Sequence, residues 1–185
     1  MKRFVQMAFV LCFTLFAVQA SASPYSDKVT LQEGAVITNI NRLAVGAPLY
    51  IPVGDAAPSL EILTQVVADA SRITHANIIP YDTVVKGIQE AKGVDIKTLP
   101  RRDAAKEYKD NVANFADAYI ILTVANNSRT IFFFDVYRSG SNDLLYTYEV
   151  RANKSDGDTV ATFTSLSEQF YKNWQRSVEE QNKGK

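Results

Sequence analysis

The chain reads as a single α/β domain: a mixed sheet, parallel in its early strands and antiparallel in a closing meander, flanked by helices and ending in one more helix. Three observations predict this. Two short apolar runs, 42–47 and 76–79, are each followed by a stretch with helical periodicity. The run Tyr119-Ile120-Ile121-Leu122-Thr123-Val124 is apolar on successive residues, as a central strand covered on both faces must be. Two further runs, 129–138 and 143–151, are joined by Ser139-Gly140-Ser141-Asn142, a turn that folds them into a hairpin.

In chain order, the first 22 residues read as a cleavable secretion signal. Lys2 and Arg3 form a positive start, Phe4 to Val18 is an apolar run broken only by Gln6, Cys12 and Thr14, and Ala20-Ser21-Ala22 is a small-x-small peptidase site. The alternative is a retained membrane anchor, but about 15 apolar residues fall short of the roughly 20 that span a bilayer. Cutting after Ala22 starts the exported chain at Ser23 and places it in the periplasm or outside the cell, with no membrane span remaining. Cys12 sits in mid-run, not at the end where a lipid-modified cysteine belongs, so it leaves with the signal.

Residues 23–35 read as a loosely ordered polar leader, and the domain proper as 36–180. A first strand covers 42–47, with Val36-Ile37 as an earlier start, and ends in a loop marked by Pro48, Pro52, Gly54 and Pro58. Ser59 is a natural N-cap, Glu61 sits in the favoured first turn, and Leu60, Leu63, Val67 and Ala70 share one helical face. The run 76–79 is a short strand closed by Pro80. Asp82 caps a following turn carrying Val84, Val85, Ile88 and Ala91, which Gly93 stops. Pro100 opens a helix whose inner face is Ala104, Ala105, Tyr108, Val112 and Phe115 and whose outer face mixes both signs of charge.

In the hairpin, Arg138 opposite Asp143 sets a register that pairs Tyr137 with Leu144, Asp135 with Tyr146, Phe133 with Tyr148 and Ile131 with Val150. Its last strand alternates and belongs nearer an edge. Ser165 and Glu168 have capping-box spacing, and Leu166, Phe170, Trp174 and Val178 recur every four residues, so a final helix docks that stripe. Residues 181–185 read as a frayed tail.

Composition excludes several chemistries. Loss of Lys2 and Arg3 with the signal leaves 18 basic residues against 20 acidic ones, which gives nucleic acid no basic surface to bind. With no cysteine left, disulfides and thiolate metal sites are absent from the exported chain. His75 is the sole histidine and reads as a surface or helix-end imidazole, so no multi-histidine metal site exists. The segment Asn153 to Asp158 looks like a calcium loop, but Ala152 and Lys154 fall at ligand positions and supply no oxygen of the right kind, so it reads as a turn. Asp55 and Glu61 put negative charge where a phosphate would bind the first helix. No cofactor is expected.

The stretches Arg42-Leu43-Ala44-Val45, Ile78-Ile79-Pro80-Tyr81 and Ala116 to Ile121, followed by strand, Ser-Gly turn and strand, resemble the N-terminal domain of TolB and the periplasmic domain of CsgG-like proteins. The resemblance spans about residues 36–178 and lacks TolB's propeller and the lipid-anchored cysteine and pore-forming segment of the CsgG kind. It implies a bacterial envelope protein that meets other proteins, and it transfers no catalytic residue. Two expectations follow. One is a non-catalytic interaction or assembly module that binds envelope proteins through the last hairpin's free edge, with Tyr146, Tyr148, Asp135 and Tyr137, or through loops at the strand ends. The other is a small extracytoplasmic hydrolase using Asp135 or Asp82, which a concave pocket joining two carboxylates would favour.

Overall fold

Seven strands form one mixed sheet among the described residues of the computed structural model, which are 25–51, 58–74, 77–126 and 128–184. They are β1 (Ser26–Leu31), β2 (Arg42–Val45), β3 (Leu49–Ile51), β4 (Asn77–Ile79), β5 (Ala118–Asn126), β6 (Thr130–Arg138) and β7 (Leu144–Arg151). Their order across the sheet is β1-β7-β6-β5-β2-β4, and β3 continues the line of β2 along β5. Pairings among β2, β3, β4 and β5 are parallel, and those linking β5, β6, β7 and β1 are antiparallel. The single-domain α/β class, the parallel beginning, the antiparallel end and the central, doubly covered β5 all match the sequence reading. The signal and His75 lie outside the described residues.

Four helices cover the sheet: α1 (Leu60–Ala70), α2 (Tyr81–Lys92), α3 (Arg101–Asn111) and α4 (Val160–Lys183). The Ser59 hydroxyl accepts from the Ile62 N–H and caps α1 as its sequence demands. Gly93 ends α2 in the left-handed conformation, at φ 70°, which costs a residue without Cβ nothing. On one face, α1 and α4 pack over Phe132, Phe134, Tyr146, Tyr148 and Val150, and the Tyr171 hydroxyl donates to the Val67 carbonyl at 2.8 Å. Leu166, Phe170 and Trp174 are buried there, with Val178 partly so. On the other face, α2 and α3 cover Ala44 and Tyr119.

Five readings of the sequence are corrected. Within the polar leader, Ser26–Leu31 is an edge strand, paired antiparallel with β7. Its polar residues suit an edge, and the Tyr148 hydroxyl holds Asp27 at 2.8 Å. Val36-Ile37 is not strand. The hairpin keeps Tyr137 opposite Leu144, but a bulge between Val136 and Tyr137 then shifts the register by one, so Val136 faces Tyr146, Asp135 faces Thr147 and Phe134 faces Tyr148. The extra residue leaves Leu145 and Tyr146 buried in succession. The last helix starts at Val160, capped by the Thr159 hydroxyl, which places Ser165 and Glu168 inside it. It also runs through the expected tail: the Gln181 amide oxygen accepts from the N–H groups of Ile37 and Thr38, and its nitrogen donates to the Ala35 carbonyl.

Candidate functional site

Where β2 gives way to β3 the strand steps sideways at Gly46, whose N–H donates to the Ile120 carbonyl at 2.8 Å. A Cβ there would lie 2.5 Å from the Ile121 side chain and 2.9 Å from the Ile120 carbonyl, so the close approach needs glycine. On the next strand out, β4 ends opposite Ala44 and Pro80 turns the chain into α2. Beyond the carboxyl ends of β2 and β4, the helices that come next, α1 after β3 and α2 after β4, pack on opposite faces of the sheet. That is where open α/β sheets form crevices.

A groove of about 780 Å³ occupies this place, a size that suits a ligand or a short peptide. One wall is a face of α3 at helical spacing, Arg101, Ala104, Ala105, Tyr108 and Lys109. The opposite wall is the start of α1, with Leu60, Glu61 and Thr64, and the start of α2, with Tyr81 and Asp82; Leu49, Tyr50 and Ile121 line the floor. Two of the five α3 residues on that wall are alanines, which fill little of the space. Ala104 and Ala105 read as core positions in sequence, but no element covers them: Ala105 is exposed and Ala104 half-buried.

Tyrosine rings run beneath and along the groove. Tyr81 stacks on Tyr108 with ring centroids 5.7 Å apart, Tyr108 meets Tyr119 edge-on at 6.1 Å, and Tyr119 stacks on Tyr137 at 5.5 Å. The Tyr108 hydroxyl donates to the Val45 carbonyl and the Tyr119 hydroxyl to the Asn142 amide oxygen, both at 2.8 Å. Burial raises the pKa of each ring hydroxyl. Tyr119 is pushed up to about 12 by burial and then by Tyr137, and Tyr108 still higher by burial. Burial also raises Tyr81, with Lys97 pulling the other way, and Tyr137, with Asp135 adding to the rise. These hydroxyls stay protonated at neutral pH and are not nucleophiles, and those of Tyr108 and Tyr119 are spent on bonds within the fold.

Charge is divided between the rims. Glu61 and Asp82 sit in the first turns of α1 and α2, where helix dipoles favour them. Facing them are Lys97, Arg101 and Lys109. Lys97 bridges Asp82 at 2.8 Å, and that hydrogen bond raises the lysine above its ordinary value. The Lys109 ammonium lies 6.0 Å from the centre of the Tyr137 ring. Arg101 has no ion-pair partner among the described residues.

Of the residues read as partner-binding from sequence, Tyr137 lines this groove. Asp135, half-buried on the same face of β6, accepts from the Thr147 hydroxyl at 2.7 Å and does not line the groove. Tyr146 and Tyr148 point to the opposite face and are fully buried beneath α4, where no partner reaches them. Nor is the hairpin's outer edge free, because β1 covers it. Of the two carboxylates read as catalytic alternatives, only Asp82 reaches the groove. The calcium-like segment is a turn in which Asp156 accepts from the Asn153 N–H, and among the described residues no three His, Cys, Asp or Glu side chains converge as metal ligands. Sequence reasoning missed Tyr81 and Tyr108 as a stacked, buried pair beneath the groove; the Tyr-Asp step after Pro80 and the lone tyrosine on an alanine face were the available signals.

No protein-family model matches the chain, and comparison with curated proteins gives no match. Among solved structures, a PelC dodecamer from Paraburkholderia phytofirmans is similar at 13% identity and a TM-score of 0.44, covering 81% of this chain and 98% of that one. The LpoB C-terminal domain from Escherichia coli matches at 13% identity and 0.45, covering 65% and 89%. The hypothetical protein CT253 from Chlamydia trachomatis matches at 8% identity and 0.37, covering 78% and 96%. None of the three is named as a TolB or CsgG-like protein, and none assigns an activity or a partner to this chain. No described helix is long and apolar enough to cross a membrane.

Proposed function

We propose that this chain is an exported, non-catalytic module of the bacterial envelope that binds another protein through the groove at its strand ends. The observation that carries the reading is the make-up of the groove: the partly exposed rings of Tyr50 and Tyr137 and the apolar side chains of Leu49, Leu60, Ala104 and Ala105 on its surfaces, with charges held at its rims. That is the anatomy of a protein-binding site, with aromatic contact area at the centre and polar groups around it. Export rests on the first 22 residues of the sequence. The test is capture from a bacterial envelope extract by the exported protein, with Ala105→Trp as control. A partner retained by the wild type and lost by the variant supports the reading.

One observation favours the hydrolase alternative, namely that the groove brings two carboxylates, Glu61 and Asp82, to one rim. Asp82 is tied to Lys97 and both residues occupy helix first turns, so structure accounts for each. A turnover found in a screen of envelope substrates and abolished by Asp82→Asn replaces the binding reading with the enzymatic one.

A further inference from the structure

We infer that the groove takes an extended peptide segment of the partner, laid as an added strand against the free side of β3 and carrying acidic side chains toward Arg101 and Lys109. The inference rests on the binding-module reading above and names the chemistry of the occupant. Three independent observations lead to it.

The first is topological. Among the described residues β3 pairs only with β5, and β4, which flanks β2 on the other side, stops at Ile79 before it can flank β3. Backbone groups on that side of β3 face the groove with no strand beside them, and an unpaired edge is a template for an incoming strand. The second is apolar exposure. Leu49 on β3 and Leu60, across the groove at the start of α1, both line it and are 38% and 48% exposed. Large apolar side chains gathered at one mouth mark a surface that something else covers.

The third is charge. Lys97 is satisfied by Asp82, but neither Arg101 nor Lys109 has a carboxylate within ion-pair distance among the described residues. Both lie on the α3 face that lines the groove. Eight residues of helix put them about 12 Å apart along the axis. That is the reach of about four residues of extended chain. A segment that fits therefore alternates apolar residues with acidic ones and repeats an acid within about four positions. A basic segment meets repulsion on this wall.

Selection of a phage-displayed random dodecapeptide library on the exported protein tests the inference. The wild type is expected to enrich alternating apolar and acidic sequences. Arg101→Glu combined with Lys109→Glu is expected to turn the enrichment basic. Ala105→Trp, which fills the groove from an exposed position, is expected to weaken the best synthetic peptide by about tenfold or more, or about 1.4 kcal/mol. Amide exchange with that peptide bound is expected to slow at Leu49–Ile51. Thermal melting checks that both variants are folded.

No enrichment, the same peptides selected by wild type and charge-reversed protein, or protection away from β3 overturns the inference. If an envelope partner is still captured in that case and groove variants do not release it, the module reading survives with a different docking face. If no partner is captured and a turnover appears, both fail together.

Discussion

The two faces of the sheet are made of different stock. Under α1 and α4 the side chains are large and interlocked: Phe134 stacks on Phe170 with centroids 4.5 Å apart, Trp174 meets Tyr146 edge-on at 5.2 Å, and little of them reaches water. Under α2 and α3 the core is built on Tyr81, Tyr108, Tyr119, Val84 and Ile88, and Ala104 and Ala105 of α3 face the groove beside it, open to solvent. A face covered along its length by two helices holds the fold together, and a face where short side chains leave a groove beside the core can admit a ligand. The same physics of packing produces both, because volume missing from a covering helix becomes volume open to a partner.

The comparison breaks most easily at Trp174. Truncation to alanine removes its ring from the sealed face and is expected to cost about 3–5 kcal/mol in chemical denaturation. A loss under about 1 kcal/mol would mean that α4 is an appendage and that the stability lies elsewhere. Gly46→Ala comes next: its new methyl group meets Ile121 and the Ile120 carbonyl, and overpacking of this kind costs about 1–3 kcal/mol. Because Gly46 sets the step from β2 to β3, this variant is also expected to weaken peptide binding, measured by calorimetry.

Tyr171→Phe sharpens the picture of the sealed face. Losing the hydrogen bond to the Val67 carbonyl is expected to cost about 1 kcal/mol at neutral pH. Burial raises the Tyr171 hydroxyl far above its ordinary value of 10.0. The folded chain thus holds that proton more tightly than the unfolded one, so its contribution is complete below pH 10 and declines as pH rises above it. Denaturation midpoints measured from neutral to alkaline pH are expected to fall less steeply in the variant than in the wild type. The smallest stability effect belongs to Ala105→Trp, within about 0.5 kcal/mol by denaturation, because the position is exposed.

Local chemistry was legible wherever a residue acts on its own neighbourhood. Ser59 as a cap, Gly93 as a stop, β5 as the central strand and the Phe170 and Trp174 stripe all follow from spacing that the fold leaves unchanged. Non-local pairing was not legible. Ser26–Leu31 is polar because it is an edge, and nothing in its composition separates an edge strand from a leader. The bulge beside Tyr137 is hidden because Leu145 and Tyr146 are both large and apolar, so either tolerates the inner face. The capping-box spacing of Ser165 and Glu168 misplaced the start of α4, since Thr159 supplies the actual cap.

The groove escaped sequence reasoning for a related reason. Periodicity identifies Ala104 and Ala105 as an inward face but cannot say whether any element lies opposite. Tyr137 was singled out for a different edge of the molecule and lies here instead, while Tyr146 and Tyr148 went to the sealed face by the alternation of β7.

The claim that one face stabilises and the other binds is tested most directly by an amide hydrogen-exchange map of the exported protein with and without its captured partner. The account predicts slowed exchange at Leu49–Ile51, at the first turn of α1 and along Arg101 to Lys109, with no change beneath α4. Protection confined to β1, or to the solvent-facing side of β6 and β7 around Asp135 and Thr147, would contradict it.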